Sequence, residues 1–237
     1  MKHAPSKVVV FMALLYLFVI SLYSQSKNER LLTARSQINA RLAQQAIDTA
    51  KIECVVVDVD SSVTDKYYDD LTNPMHDPYG TLKGCFLFTM RHWPDGVEPN
   101  GITGVFKNGA ILWTSDRVWA GCGGRIFATL DLNKDSTVDI VTTWSEGSHC
   151  EQESMWIYRW DGSHGVPIND FDSRGRTKMI ALDFQLSGRD TNGAVKIIGQ
   201  AGYYDVSAHA YIEDSVITYL WNGTKYGKAN AENHTKK

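Results

Sequence analysis

Two periodicities divide this chain. Between Asn28 and Ala50 the apolar residues Leu31, Ile38 and Leu42 recur at roughly helical spacing in a run rich in Ala, Leu, Arg and Gln and free of Gly and Pro, which predicts an α-helix. Beyond Ile52 the pattern changes to short β-branched and aromatic runs separated by Gly, Asp, Asn and Pro. Strands are predicted at 54–59, 85–91, 102–106, 110–113, 125–130, 139–144, 155–160, 179–185, 194–199 and 215–221. Many short strands punctuated by turn residues predict an all-β sandwich, barrel or propeller. The chain thus reads as a helical linker over 27–51, a β-rich domain over 52–226 and a Lys- and Asn-rich tail, disordered over 227–237.

Within the β-rich domain one unit recurs. A strand closing in an aromatic–Asx–Gly turn occurs at Trp93-Pro94-Asp95-Gly96, at Trp160-Asp161-Gly162 and at Trp221-Asn222-Gly223. Asp-Gly and Asn-Gly are strong hairpin signals because both central positions tolerate positive φ. Upstream of each turn a hydrophobic strand runs into a polar loop: at Val57 to Ser62, at Leu130 to Asp135, and at Leu182 to Gln185 with Asp190 to Gly193. The units span about 52–96, 125–162 and 178–223. Repetition of one supersecondary unit marks propellers and solenoids, and three units are fewer than the four to eight blades of a closed propeller. The fold expected is a degenerate or partial β-propeller-like repeat of short antiparallel sheets, with the repeated Trp packed between adjacent sheets.

At the N-terminus, Lys2, His3 and Lys7 precede an apolar run from Val8 to Val19 that extends through Leu22 and Tyr23. A charged start followed by an apolar core has the layout of a secretory signal. The run is short for a membrane span, which takes about twenty apolar residues. Ser24 and Ser26 supply small residues for cleavage after Ser26, so residues 1–26 read as a signal peptide. The alternative is an uncleaved anchor, attaching the chain to a membrane through residues 8–23. Either way the remainder is secreted or extracytoplasmic.

The candidate chemistry lies in the second unit. From Asp131 to Asp139 an oxygen-bearing side chain stands at every second position, and a β-branched strand follows. A tight loop can turn such positions inward around one hard cation, and calcium takes six to eight oxygens from carboxylates, amides, backbone carbonyls and water. Asp131, Asn133 and Asp135 would supply side-chain oxygens, Thr137 a backbone carbonyl, and Asp139 a last carboxylate. An EF-hand is excluded, since it needs Gly at its sixth position and Glu at its twelfth, where this chain has Ser136 and Thr142. The pattern, from Arg125 to Gly162, resembles the strand–loop–strand calcium loop of FG-GAP and VCBS-type repeats, found in integrin-like β-propellers and secreted bacterial proteins. Ser136 departs from that family's Gly and must itself take up the backbone angle the turn requires. The resemblance implies a structural calcium ion and a surface for an extracellular protein or glycan ligand.

Four cysteines, Cys54, Cys85, Cys122 and Cys150, suit an oxidising compartment and allow three pairings. Cys122 and Cys150 flank the loop and its strands and are expected to pair, as are Cys54 and Cys85. Apolar residues make up 43% of the chain and seven are Trp, enough for a sizeable core. A formal charge of −3 without a cluster of Lys and Arg among aromatics argues against a nucleic-acid partner.

No catalytic constellation stands out. Gly-x-Ser-x-Gly is absent, and the glycine run from Gly121 to Gly124 lacks the Lys of a phosphate loop. His149 with Cys150 and Glu151, and the pair Asp69 and Asp70, are the groups a secreted polysaccharide hydrolase or lyase would use, in loops 146–153 and 64–84. Trp93, Trp113, Trp119 and Trp144 would stack on sugars only if they faced solvent. The function expected is extracellular binding or adhesion by a calcium-stabilised domain. The alternatives are that hydrolase or lyase and a membrane-anchored subunit of a surface assembly.

Overall fold

In the computed structural model, the described residues are 7–44, 52–59, 75–92, 100–146, 152–205, 207 and 210–229. Among them a single helix, α1 (Lys7–Gln44), comes first and runs without a break past Ser24 and Ser26. The helix expected from residue 28 is its C-terminal part, and residues 45–50 lie outside the described set. Ala34, Ile38 and Leu42 fall one turn apart on one face and are at most 2% exposed. They join Cys54, Phe88, Met90, Ile102 and Phe106 in one core cluster, which fastens the helix to the first sheet. Arg30 pairs with Asp58 at 3.2 Å, and Arg41 Nε donates to the carbonyl of Gly109 at 3.0 Å. Among the described residues no helix is long and apolar enough to cross a membrane.

Three antiparallel sheets follow. The first runs β1 (Ile52–Asp58), β2 (Phe86–His92), β3 (Asn100–Lys107) and β4 (Ala110–Thr114), with β5 (Val118–Trp119) also on β3. The second runs β6 (Gly124–Leu130), β7 (Val138–Glu146) and β8 (Gln152–Trp160). Both β9 (Gly165–Pro167) and β10 (Ile180–Ala181) pair with β8. The third runs β11 (Asp183–Arg189), β12 (Val195–Asp205), β13 (Ala210–Trp221) and β14 (Tyr226–Lys228). Among the described residues, the all-β reading holds for everything after the helix. The tail expected to be disordered from residue 227 begins instead inside β14, because Tyr226 is buried and its backbone binds Ile168 and Asp170.

The period-two alternation of strand side chains sorts the core into layers. In β2 and β3, Phe88, Met90, Ile102 and Phe106 face α1, whereas Leu87 and Val105 join Ile126, Val138, Ile140, Tyr158 and Trp160 of the second sheet. A bulge between Ile126 and Ala128 switches the facing of β6. Ala128, Leu130, Val141, Met155 and Ile157 therefore meet Phe184, Val195, Ile197, Tyr219 and Tyr226 of the third sheet. The order is helix, first sheet, second sheet, third sheet. Strand β7 is buried along most of its length, its polar residues Asp139, Thr142 and Thr143 included. Trp160 packs between the first two sheets as the repeat predicted.

The second and third sheets also share one turn. Asp161 Oδ1 accepts from the backbone of Ser163 and His164, and Asn222 Oδ1 accepts from the backbone of Thr224 and Lys225. Gly162 and Gly223 both have φ 97°. In the first sheet the corresponding turn is Asn108-Gly109, with φ 51° and 79°, closing β3 onto β4. Gly96, expected to close the first copy, follows β2, the second strand of its sheet, and lies with residues 93–99 outside the described set. The first repeat boundary is therefore corrected from Gly96 to Gly109.

Cys54 and Cys85 are free thiols, which corrects their expected pairing. Cys54 is opposite Met90 near one end of the β1–β2 ladder, and Cys85 precedes Phe86, opposite Asp58, at the other. Five residues of strand separate them, roughly 17 Å, against the roughly 4–7 Å between Cα atoms that a disulfide spans. They also belong to different core clusters. Cys122 is disulfide-bonded, and Cys150 lies outside the described residues.

Candidate metal centre

The connection between β6 and β7 carries Asp131, Asn133, Asp135 and Thr137 of the predicted set, and Asp139 is the second residue of β7. Leu130 and Leu132 anchor its start in the core, and Val138 anchors its end. Between them Lys134 and Ser136 adopt left-handed φ of 61° and 67°. Ser136 thus takes the angle that glycine would adopt more easily, at a cost of about 1 kcal/mol. This curls the loop so that its amides meet its own carboxylates.

Asp131 is 6% exposed and accepts from the amides of Asp135 at 3.2 Å and Ser136 at 3.1 Å. Asn133 is 8% exposed; its Oδ1 accepts from the Asp135 amide at 3.3 Å, and its Nδ2 donates to Asp135 Oδ2 at 3.1 Å. Asp135 lies at the outer rim, accepts from the amide and hydroxyl of Thr137, and stands 3.7 Å from Arg159. Asp139 is fully buried: its Oδ2 accepts from the Leu132 amide at 2.9 Å, and its Oδ1 has no hydrogen-bond partner among the described residues. The structure therefore brings Asp131, Asn133 and Asp139 into the interior of one loop and leaves Asp135 and Thr137 toward solvent. Among the described residues no three acidic, His or Cys side chains form a ready-made metal cluster.

Burial pushes the Asp139 carboxyl well above the usual carboxylate range. The Leu132 amide and Arg159 oppose that rise, and the charges of Asp135 and Asp131 add to it. A buried carboxylate oxygen without a donor is costly, and a hard cation satisfies several such oxygens at once. The donor set thus fits calcium: two buried carboxylates, one buried amide oxygen, a rim carboxylate and the loop's own carbonyls.

Three residues of this centre were not legible as motifs. Tyr79 Oη donates to Asp131 Oδ2 at 2.5 Å, and burial followed by the Asp131 hydrogen bond and charge pushes its phenol up to about 12. Arg189 Nη1 reaches the carbonyls of Asp131 at 3.3 Å and Gly193 at 2.8 Å. Tyr226 Oη donates to the carbonyls of Leu132 at 3.0 Å and Val195 at 3.1 Å. All three lie far from the loop in sequence, and an isolated Tyr or Arg carries no spacing signal.

The remaining candidates separate. Asp69, Asp70, His149, Cys150, Glu151 and Trp93 lie outside the described residues. Trp144 is fully buried beneath Gly101 and Gly124, where an added Cβ would sit 2.5 and 2.3 Å from the ring. Trp113 packs edge-on against Tyr158 at 5.2 Å. Of these rings only Trp144 is core; Trp113 and Trp119 are both half-buried. A cavity of about 300 Å³ between the first two sheets is lined by Thr89, Arg91, Arg125, Thr143 and Glu153, with Arg125 already paired to Glu153 at 3.1 Å. Comparison with protein-family models, with characterised proteins and with solved structures finds no match to this chain.

Proposed function

We propose that this chain is an exported, calcium-stabilised β-repeat domain that serves extracellular binding or adhesion, with the ion in a structural role. The carrying observation is Asp139, wholly buried with one oxygen unpartnered among the described residues, its pKa raised by burial first and then by the charges of Asp135 and Asp131. Asp131, Asn133, Asp135 and Asp139 would hold the ion through side-chain oxygens and Thr137 through its carbonyl. Asp135 would exchange its contact with the exposed Arg159 for the metal. The ion supplies charge neutralisation and orientation; nothing in the loop calls for chemistry beyond that. The three consecutive meanders are consistent with a partial propeller-like repeat, and their loops provide the recognition surface for a protein or glycan ligand.

The test is a thermal melt of the oxidised protein in millimolar calcium and in excess chelator, beside Asp135→Ala. At a hundredfold excess of calcium over Kd, binding adds about 2.7 kcal/mol. For a domain of this size that is a Tm shift of roughly 5–10 °C. The Asp135→Ala variant should show little shift, and superimposable wild-type melts with and without calcium would end the proposal.

A second reading is favoured by α1. Because the helix is continuous from Lys7 into the segment that grips the first sheet, an uncleaved N-terminus would place residues 8–23 on the same helix as the domain and attach it to a membrane surface without crossing it. Recovery of the intact N-terminus in the membrane fraction after export would support anchorage, and a mature chain beginning after Ser26 would support secretion.

A further inference from the structure

The loop that would hold the ion is also the polar seam between the second and third sheets. The Leu132 carbonyl accepts from the Val195 amide at 2.7 Å and from Tyr226 Oη at 3.0 Å. Arg189 Nη1 and Nη2 both reach the Asp131 carbonyl at 3.3 Å, and Nη1 also lies 3.4 Å from the Leu132 carbonyl. On its other side the peptide group between Asp131 and Leu132 is tied to Asp139, through the Leu132 amide at 2.9 Å. One stretch of backbone therefore carries metal-facing contacts on one side and contacts with β11, β12 and β14 on the other. The first sheet meets the second differently. Its strands meet the second sheet through Thr89 to the Gly124 carbonyl and Thr103 to Thr142, which involve no loop residue. Among the described residues only the connection before β2 touches the loop, through the side-chain hydrogen bond of Tyr79 to Asp131.

We propose that the ion in the 131–139 loop acts as the clasp that holds the third sheet on the second, so that removing it undocks β11–β14 while the first two sheets stay together. This rests on the calcium reading above. Without the ion, the carboxylates of Asp131 and Asp139 repel one another across the loop, and opening the loop relieves them. Opening withdraws the Asp131 and Leu132 carbonyls from Arg189, Tyr226 and Val195. Tyr226 is fully buried, so losing its Leu132 partner also weakens a phenol that cannot turn to water. The third sheet also packs its apolar face on the second, so it would open as one cooperative unit, at a free energy below that of global unfolding.

Amide hydrogen exchange of the full chain tests the clasp, with calcium binding measured separately by calorimetry. Peptides covering 195–200 and 216–221 should exchange at least tenfold faster in chelator than in calcium, while those covering 87–91 and 102–106 change little. Arg189→Met should still bind calcium yet show fast third-sheet exchange with the ion present. Calcium binding with equal exchange in both conditions, or a uniform loss across all three sheets, would overturn the clasp and leave the metal site standing. Absence of calcium binding would overturn both.

Discussion

The connections β6–β7 and β11–β12 occupy the same place in consecutive sheets, joining the first strand to the second, and they solve the same problem in different ways. In the shorter one, Asp190 Oδ1 accepts from the amides of Asn192 at 2.8 Å and Ala194 at 3.0 Å, and Gly193 supplies the left-handed position at φ 85°. One carboxylate meets two donors, and glycine bears the strained angle. The longer loop puts three carboxylates where its amides satisfy all but one buried oxygen, and it places Lys134 and Ser136 at left-handed angles. A turn closed by its own backbone needs no ligand. A loop with surplus buried negative charge has a place for one, and under the calcium role proposed above that surplus is what separates it from an acidic turn that its sequence resembles.

The strongest way to break this comparison is Asp139→Asn, which should change sign with conditions. In calcium the variant should lose the stabilisation from the ion, about 2.7 kcal/mol at saturating ligand. In chelator it should be more stable than wild type by about 1–3 kcal/mol, because a buried unpaired charge has been removed. Paired thermal melts decide it, and a loss of stability in both conditions would show that the carboxylate is satisfied without metal.

Proton binding sharpens the same contrast. The folded pKa of Asp139 is raised, so in chelator its contribution is fully present below the ordinary carboxylate pKa of about 4. That contribution is lost as pH rises through the folded value, with a slope of at most about 1.4 kcal/mol per pH unit. The stability difference between wild type and Asp139→Asn should therefore widen as pH rises in chelator and reverse in calcium. Denaturant titrations at several pH values measure it.

Asp190→Ala should cost about 1 kcal/mol through its two lost hydrogen bonds. Its calcium-dependent Tm shift should equal that of wild type, since the β11–β12 turn closes itself. Ser136→Gly is the smallest change, relieving the left-handed strain for a gain of up to about 1 kcal/mol. It should also tighten calcium binding in calorimetry. Weaker binding would mean that the Ser136 side chain contributes more than its angle costs.

The loop was legible because its chemistry is local: alternation of oxygens from Asp131 to Asp139 is a backbone-scale pattern. The longer strands were legible for the same reason, as were the turns at Gly162 and Gly223, whose Asx residues bond their own backbone. The first repeat was misplaced because Asp95-Gly96 and Asn108-Gly109 offer equal turn signals, and only strand pairing distinguishes the second strand from the third. Pairing Cys54 with Cys85 from their sequence spacing failed because a hairpin ladder sends residues near opposite ends of neighbouring strands far apart. Tyr79, Arg189 and Tyr226 were illegible because they reach the loop through tertiary contacts.

By itself the sequence determined the longer strands, though not the short β5, β9 and β14, and the helix from residue 28 to 44. It also determined two of the three repeat turns and the residues of the candidate metal loop. All of these follow from local periodicity and short-range hydrogen bonding. Only the tertiary structure decided that α1 covers the first sheet, that the second sheet is buried on both faces, and that Asp139 loses all contact with water. Burial turns an acidic turn into a candidate metal centre, because a carboxylate exposed to solvent needs no partner and one enclosed between two sheets does.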